Sequence, residues 1–105
     1  MFGQVDQAKF LKCIADPTRM QILGLLAKSQ EKYVGEIAGI LGKEQSLISH
    51  HLATLKKCNI VLTRQENQKI YYAIADPRIS QLVIDIQSLV THIPLCKSLK
   101  LSRKK

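Results

Sequence analysis

The sequence predicts a mainly α-helical domain carrying one two-stranded β-hairpin, an α+β arrangement in which the helices supply the core. Three observations lead there. Asp16-Pro17 and Asp76-Pro77 each place a helix-capping side chain before a proline at the first helical position, where the missing N–H costs nothing. The stretch from Gly42 to Cys58 reads as one helix with two unlike faces. Val61-Leu62-Thr63-Arg64 and Lys69-Ile70-Tyr71-Tyr72-Ala73-Ile74 are β-branched and aromatic runs around Gln65-Glu66-Asn67-Gln68, a hairpin signal in which Asn67 can take the positive φ.

In chain order, Val5, Ala8, Leu11 and Ile14, with Phe10, sit at helical spacing and suggest a first helix from roughly Gln4 to Ile14. A second helix runs from Pro17 to about Lys28. Met20, Ile22, Leu23, Leu25 and Leu26 make it apolar nearly all round, so it is expected at the centre of the core. Ser29-Gln30-Glu31-Lys32 is a polar connector. Val34, Ile37, Ala38 and Leu41 form a third helix, which Gly42 is placed to end in the left-handed conformation. In the long helix that follows, Ile48, Leu52 and Leu55 fall at i, i+4 and i+7 and make an apolar stripe. A two-stranded hairpin cannot stand alone, so it must lean on these helices. The last helix opens at Asp76-Pro77, and Ile79, Leu82, Val83, Ile86, Leu89, Val90 and Ile93 give it a wide apolar stripe until Pro94 stops it.

The 105 residues suffice for one domain, read as residues 1–96 followed by a basic tail, 97–105. Sixteen basic against eight acidic residues give a net charge of +8. Five of the basic residues (Lys97, Lys100, Arg103, Lys104 and Lys105) lie in the acid-free tail, so the body is only mildly basic. Such a balance points to nucleic acid, although RNA or an anionic lipid surface would attract the tail equally. No apolar run reaches transmembrane length and the N-terminus lacks a signal-peptide pattern, so a cytoplasmic protein without membrane partners is expected. Three cysteines at wide spacing argue for free thiols rather than a disulfide framework.

The polar face of the long helix carries Gln45, Ser46, Ser49 and His50, side chains that donate and accept hydrogen bonds as base edges and phosphates require. Such a face can be laid into a DNA major groove. His50 and His51 point about 100° apart on a helix and cannot chelate one metal. An enzyme is not expected: Cys58 and His51 are too far apart along one helix to be hydrogen bonded, and there is no glycine-rich phosphate loop.

The order helix, helix, helix–turn–helix, hairpin, helix is that of a winged helix-turn-helix. Within it stand Ala15-Asp16-Pro17-Thr18-Arg19 with Ile22-Leu23, Gly35-Glu36-Ile37-Ala38, Gln45-Ser46 with Ser49-His50-His51-Leu52, and Tyr71-Tyr72. In these residues, from about Phe10 to Val90, the chain resembles the ArsR/SmtB family of transcriptional repressors. The resemblance implies a recognition helix bearing Gln45, Ser46, Ser49 and His50, and a wing that touches the DNA backbone or minor groove. It also implies a homodimer built by the first and last helices, with Leu11, Ile79, Leu82, Val83, Ile86, Leu89 and Val90 as interface residues. Two recognition helices then predict double-stranded DNA with an inverted-repeat operator. Lys43, Lys56, Lys57, Arg64 and Lys69 flank the helix and wing and are candidate phosphate contacts. Glu44 departs from the family's usual serine cap and puts a negative charge near the phosphates. A winged helix binding RNA or another protein is the alternative, since the fold supports both.

The inducer of such a repressor is harder to read. Family metal sensors often carry a Cys-x-Cys pair where this chain has Tyr33 and Gly35, and a second family site keeps only Asp76, with Arg78 and Leu89 where histidines would be wanted. His92 alone is not a site, so zinc, nickel or cobalt sensing is not expected there. Cys58 and Cys96 are placed like two of the three thiolates in the family's cadmium/lead sensor, whose third would fall at Thr54; Cys13 substitutes only if the fold brings it close. The family's thiol-switch branch pairs a cysteine of the second helix with one at the end of the last, and Gly24 occupies the first position here. Three readings of Cys13, Cys58 and Cys96 stay open: small semi-buried hydrophobes with a tail thiol, thiolate ligands for a soft metal ion or arsenic(III), or oxidisable thiols.

Overall fold

The computed structural model describes residues 6–92. Along the chain they form α1 (Gln7–Ile14), α2 (Pro17–Lys28), β1 (Lys32–Tyr33), α3 (Val34–Leu41), α4 (Gln45–Lys57), β2 (Val61–Glu66), β3 (Lys69–Ile74) and α5 (Pro77–His92). Gln4, Val5, Ile93, Pro94, Cys96 and the tail 97–105 lie outside the described residues.

Capping chemistry sets most helix starts. α1 begins later than its periodicity suggests because Asp6 stands at the N-cap and accepts the Lys9 backbone N–H at 2.8 Å. Asp16 does the same for α2, accepting from the Arg19 N–H at 3.0 Å with Pro17 behind it. Gly42, at φ 67°, ends α3 in the left-handed conformation and turns the chain into α4. Asp76 accepts the Arg78 N–H at 2.8 Å at the start of α5.

The sheet has three strands where two are expected from the sequence. Its order is β1-β3-β2, with Lys32 opposite Tyr72 and Tyr33 opposite Tyr71. The end of the polar connector is thus extended and paired, because Tyr33 keeps a β conformation as the N-cap of α3. The hairpin turn is also tighter than the sequence suggests. Glu66 pairs with Lys69, leaving a two-residue loop in which both Asn67 (φ 57°) and Gln68 (φ 105°) are left-handed. Two positive φ values match the right-handed twist of the flanking strands, so Gln65 and Glu66 join the strand.

α2 packs against α1, α3, α4, α5 and β3, which makes it the central helix. Ile22, Leu23 and Leu26 of α2, Ile37 of α3, the α4 stripe Ile48, Leu52 and Leu55, then Ile60, Val61 and Val83 form one contiguous core. Fully burying each such side chain contributes roughly 1.5–3 kcal/mol. The Gln87 side-chain amide of α5 rests over Gly24 of α2, 2.4 Å from where a Cβ would stand.

Two expectations need correction. Cys13 and Cys58 are not free thiols; they form a disulfide across 45 residues, because α1 packs against α4 and brings the end of one beside the end of the other. Val83 is not an interface residue either. It is 0% exposed within the single chain, on the side of α5 that faces the core. The remaining stripe fits an unpartnered face: Leu11 (55% exposed), Leu82 (37%), Leu89 (56%) and Val90 (57%) are open, and Ile79 and Ile86 are half-buried.

Candidate nucleic-acid interface

The helix α4 is held from beneath. Ile48, Leu52 and Leu55 are each 0% exposed, so α4 cannot rotate about its axis without pulling one of them out of the core. That fixes the opposite face, where Gln45, Ser46, Ser49 and His50 are all exposed. The turn before it is pinned by Gly42 and by the Lys43 N–H donating to the Ala38 carbonyl at 3.0 Å. Glu44 takes the N-cap position without a side-chain bond to the helix, so the first-turn N–H groups stay open to an anion.

His51 faces the other way and belongs to the scaffold. Arg19 donates from Nη1 to His51 Nδ1 at 3.1 Å and from Nε to the Cys13 carbonyl at 2.7 Å, and Asp16 Oδ2 lies 3.8 Å from the same imidazole nitrogen. A guanidinium has only donors, so Nδ1 is the acceptor. The Arg19 backbone N–H is the main cause that holds the Asp16 carboxyl below its usual range. No sequence pattern announced this link, since its partners come from three separate helices.

The wing is less positive than its composition suggests. Arg64, expected as a phosphate contact, is instead clamped. Its Nε donates to Glu31 at 2.7 and 3.2 Å, its Nη2 lies 2.6 Å from Glu31, its Nη1 donates to Glu66, and its guanidinium sits 4.8 Å from the Tyr71 ring centroid. The hydrogen bond to Glu31 comes first among the causes that raise its pKa further. The local alternation that puts Arg64 and Glu66 on one face of β2 was readable in advance; the approach of Glu31 was not. Lys69 sits 4.3 Å from the Tyr33 ring centroid, and the Tyr33 and Tyr71 rings meet edge to face at 5.7 Å. Lys56, Lys57 and Lys69 are exposed and Lys43 is half-buried.

Among the described residues no three His, Cys, Asp or Glu side chains converge as a metal site. Asp76 is occupied by Arg78, whose Nε and Nη2 reach its two oxygens at 3.1 and 2.8 Å. No described helix is long and apolar enough to cross a membrane.

A family model for bacterial regulatory proteins of the arsR family matches residues 16–63, the stretch from the cap of α2 through the helix–turn–helix of α3 and α4 into the start of β2. An uncharacterised HTH-type transcriptional regulator of Methanocaldococcus jannaschii is 42% identical over 72% of this chain and 85% of its own length. The chain belongs to the ArsR family. A Staphylococcus aureus homologue of the cadmium resistance transcriptional regulatory protein CadC is 35% identical over 75% of this chain, which spans 65% of that protein. The solution structure of a homodimeric winged helix-turn-helix DNA-binding domain from Mycobacterium bovis superposes with a TM-score of 0.73 at 32% identity, covering 89% of this chain and 94% of that one. This ArsR-family chain is a winged helix-turn-helix transcriptional regulator, not an enzyme.

Proposed function

We propose that the protein is a homodimeric repressor that reads an inverted-repeat operator in double-stranded DNA through Gln45, Ser46, Ser49 and His50. One observation carries the reading: these four side chains share the exposed face of a helix whose opposite stripe is locked in the core. Lys43, Lys56 and Lys69 then lie where phosphates would pass, and the tail 97–105 adds sequence-independent attraction. Leu11, Ile79, Leu82, Ile86, Leu89 and Val90 would close the two-fold interface, a reading supported by the homodimeric relative.

The input is assigned to Cys13 and Cys58, with Cys96, just before the tail, as a further thiol. When reduced, two thiolates this close form a soft pair suited to a thiophilic ion such as cadmium or arsenic(III), and the likeness to a cadmium resistance regulator supports that chemistry. Selection from a randomised duplex library tests the core claim. The expected product is an inverted repeat bound far more tightly than random duplex or RNA. Equal binding of all three overturns it.

A further inference from the structure

The Cys13–Cys58 disulfide joins the last turn of α1 to the C-cap of α4. On the reading above, α1 faces the partner subunit through Leu11 and α4 carries the base-reading side chains. The bond therefore spans the two parts whose relative placement sets half-site spacing. Arg19 adds a second tie between the same parts, bonding the Cys13 carbonyl and His51 of α4. Ile14 and Ile60, close in sequence to the two sulfurs, are buried in the core. The pair is distinct from one linking the second and last helices, since Gly24 stands on α2.

We propose that Cys13 and Cys58 are a reversible dithiol–disulfide switch, oxidised by hydroperoxides, whose disulfide fixes the recognition helix against α1 and raises operator affinity. The proposal rests on the DNA-reading assignment. Cys58, half-buried and following Lys56 and Lys57, is the more accessible sulfur; Cys13 is 7% exposed. The Cys58 thiolate attacks one oxygen of the hydroperoxide, the O–O bond breaks, and the alcohol (water, for hydrogen peroxide) leaves with a proton. The resulting sulfenic acid is attacked at sulfur by Cys13; the S–S bond forms and water leaves. Two electrons pass from the two sulfurs to the peroxide. A small dithiol reverses the step by two exchanges and is itself oxidised to a disulfide. Fixing α4 before binding removes part of the ordering cost of association, an effect expected on the order of tenfold in affinity.

The experiment uses the full chain carrying Cys96→Ser, so that alkylation and mass spectrometry count only Cys13 and Cys58. The probe is the tightest duplex selected from the randomised library, titrated by fluorescence anisotropy against protein treated with dithiothreitol or with hydrogen peroxide. The expected result is two alkylated cysteines and weaker binding in the reduced form, none and binding about tenfold tighter in the oxidised form. Cys13→Ser and Cys58→Ser should each bind like the reduced chain and ignore peroxide. If either variant loses its helical circular dichroism, the comparison of the two wild-type redox states at these positions still decides. Equal affinities, tighter binding by the dithiol, or two alkylatable cysteines after peroxide overturn the switch. A higher melting temperature with unchanged affinity also overturns it, leaving a staple. A failure of both forms to select any duplex sinks the DNA-reading assignment and the switch with it.

Discussion

Arg19 and His51 lie 32 residues apart in sequence and meet at 3.1 Å, with the arginine donating and the imidazole accepting. The same guanidinium holds the Cys13 carbonyl, so one side chain at the start of α2 fixes α1 and α4 together. Arg19→Ala should cost about 1–3 kcal/mol in denaturant unfolding, because it removes a charged donor from two part-buried acceptors. Arg19→Lys should recover only a fraction, since a point-like ammonium cannot serve both acceptors in a fork. Full recovery by lysine would show that charge alone matters there.

Base reading predicts a particular pattern of loss. Ser49→Ala combined with His50→Ala removes exposed side chains, so folding should be unchanged while discrimination between selected and random duplex falls by about 1–3 kcal/mol per lost base contact. Equal weakening on both duplexes, measured by anisotropy, would assign these residues to the backbone instead.

The Arg64 clamp makes an unusual forecast for the wing. Glu66→Gln takes one carboxylate from the guanidinium and reduces the negative charge at the hairpin. DNA binding should tighten, and the slope of log K against log salt should steepen by about 1 if Nη1 of the arginine, still held by Glu31 on its other edge, reaches a phosphate. An unchanged slope would mean that the wing stays clear of the backbone.

Leu89 is 56% exposed in the single chain, so its replacement by glutamate leaves the core intact. In a dimer the same change buries an unpaired charge twice, at a cost of several kcal/mol per site. Sedimentation should show a helical monomer. A Leu89→Glu protein that remains dimeric and binds its duplex as before rules out the α5 interface.

Acid stability follows from Asp76, whose carboxyl is held down at about 2, chiefly by the Arg78 side chain and then by the Arg78 N–H. A folded-state pKa below the unfolded value means that the carboxylate's contribution is complete above about pH 4 and is lost as pH falls toward about 2. Asp16, lowered in the same direction, adds to that slope. Asp76→Asn keeps a capping side chain but cannot ionise, so its unfolding free energy should fall less steeply across that window. Parallel pH profiles for variant and wild type would contradict the assignment.

Much of the fold was readable because it rests on local chemistry. Asp16-Pro17, Asp76-Pro77 and Gly42 act within a few residues of themselves, and the Ile48, Leu52 and Leu55 stripe needs only helical periodicity. The exposure of the polar face of α4 was legible for the same reason, since whatever opposes a buried stripe is exposed. What escaped was settled by distant partners. Arg64 looks like a free cation until Glu31 arrives beside it, Val83 looks like any other member of an apolar stripe until the core closes over it, and Lys32-Tyr33 becomes a strand only because β3 is there to pair. Cys13 and Cys58 are far apart in sequence, and only the packing of α1 on α4 makes them neighbours.

The same bond divides the oxidised chain topologically. Residues 13–58 become a closed covalent ring that contains all of α2, β1, α3 and α4, with the four side chains proposed to read DNA, while the hairpin and α5 hang from it as an open arm. A peptide bond cut anywhere inside the ring leaves a single molecule whose ends stay tethered, whereas one cut at Asn67 or Gln68 separates the arm from the ring as soon as the fold loosens. Limited proteolysis on a non-reducing gel therefore reports the redox state directly: ring nicks are silent until reductant is added, and wing nicks are visible at once.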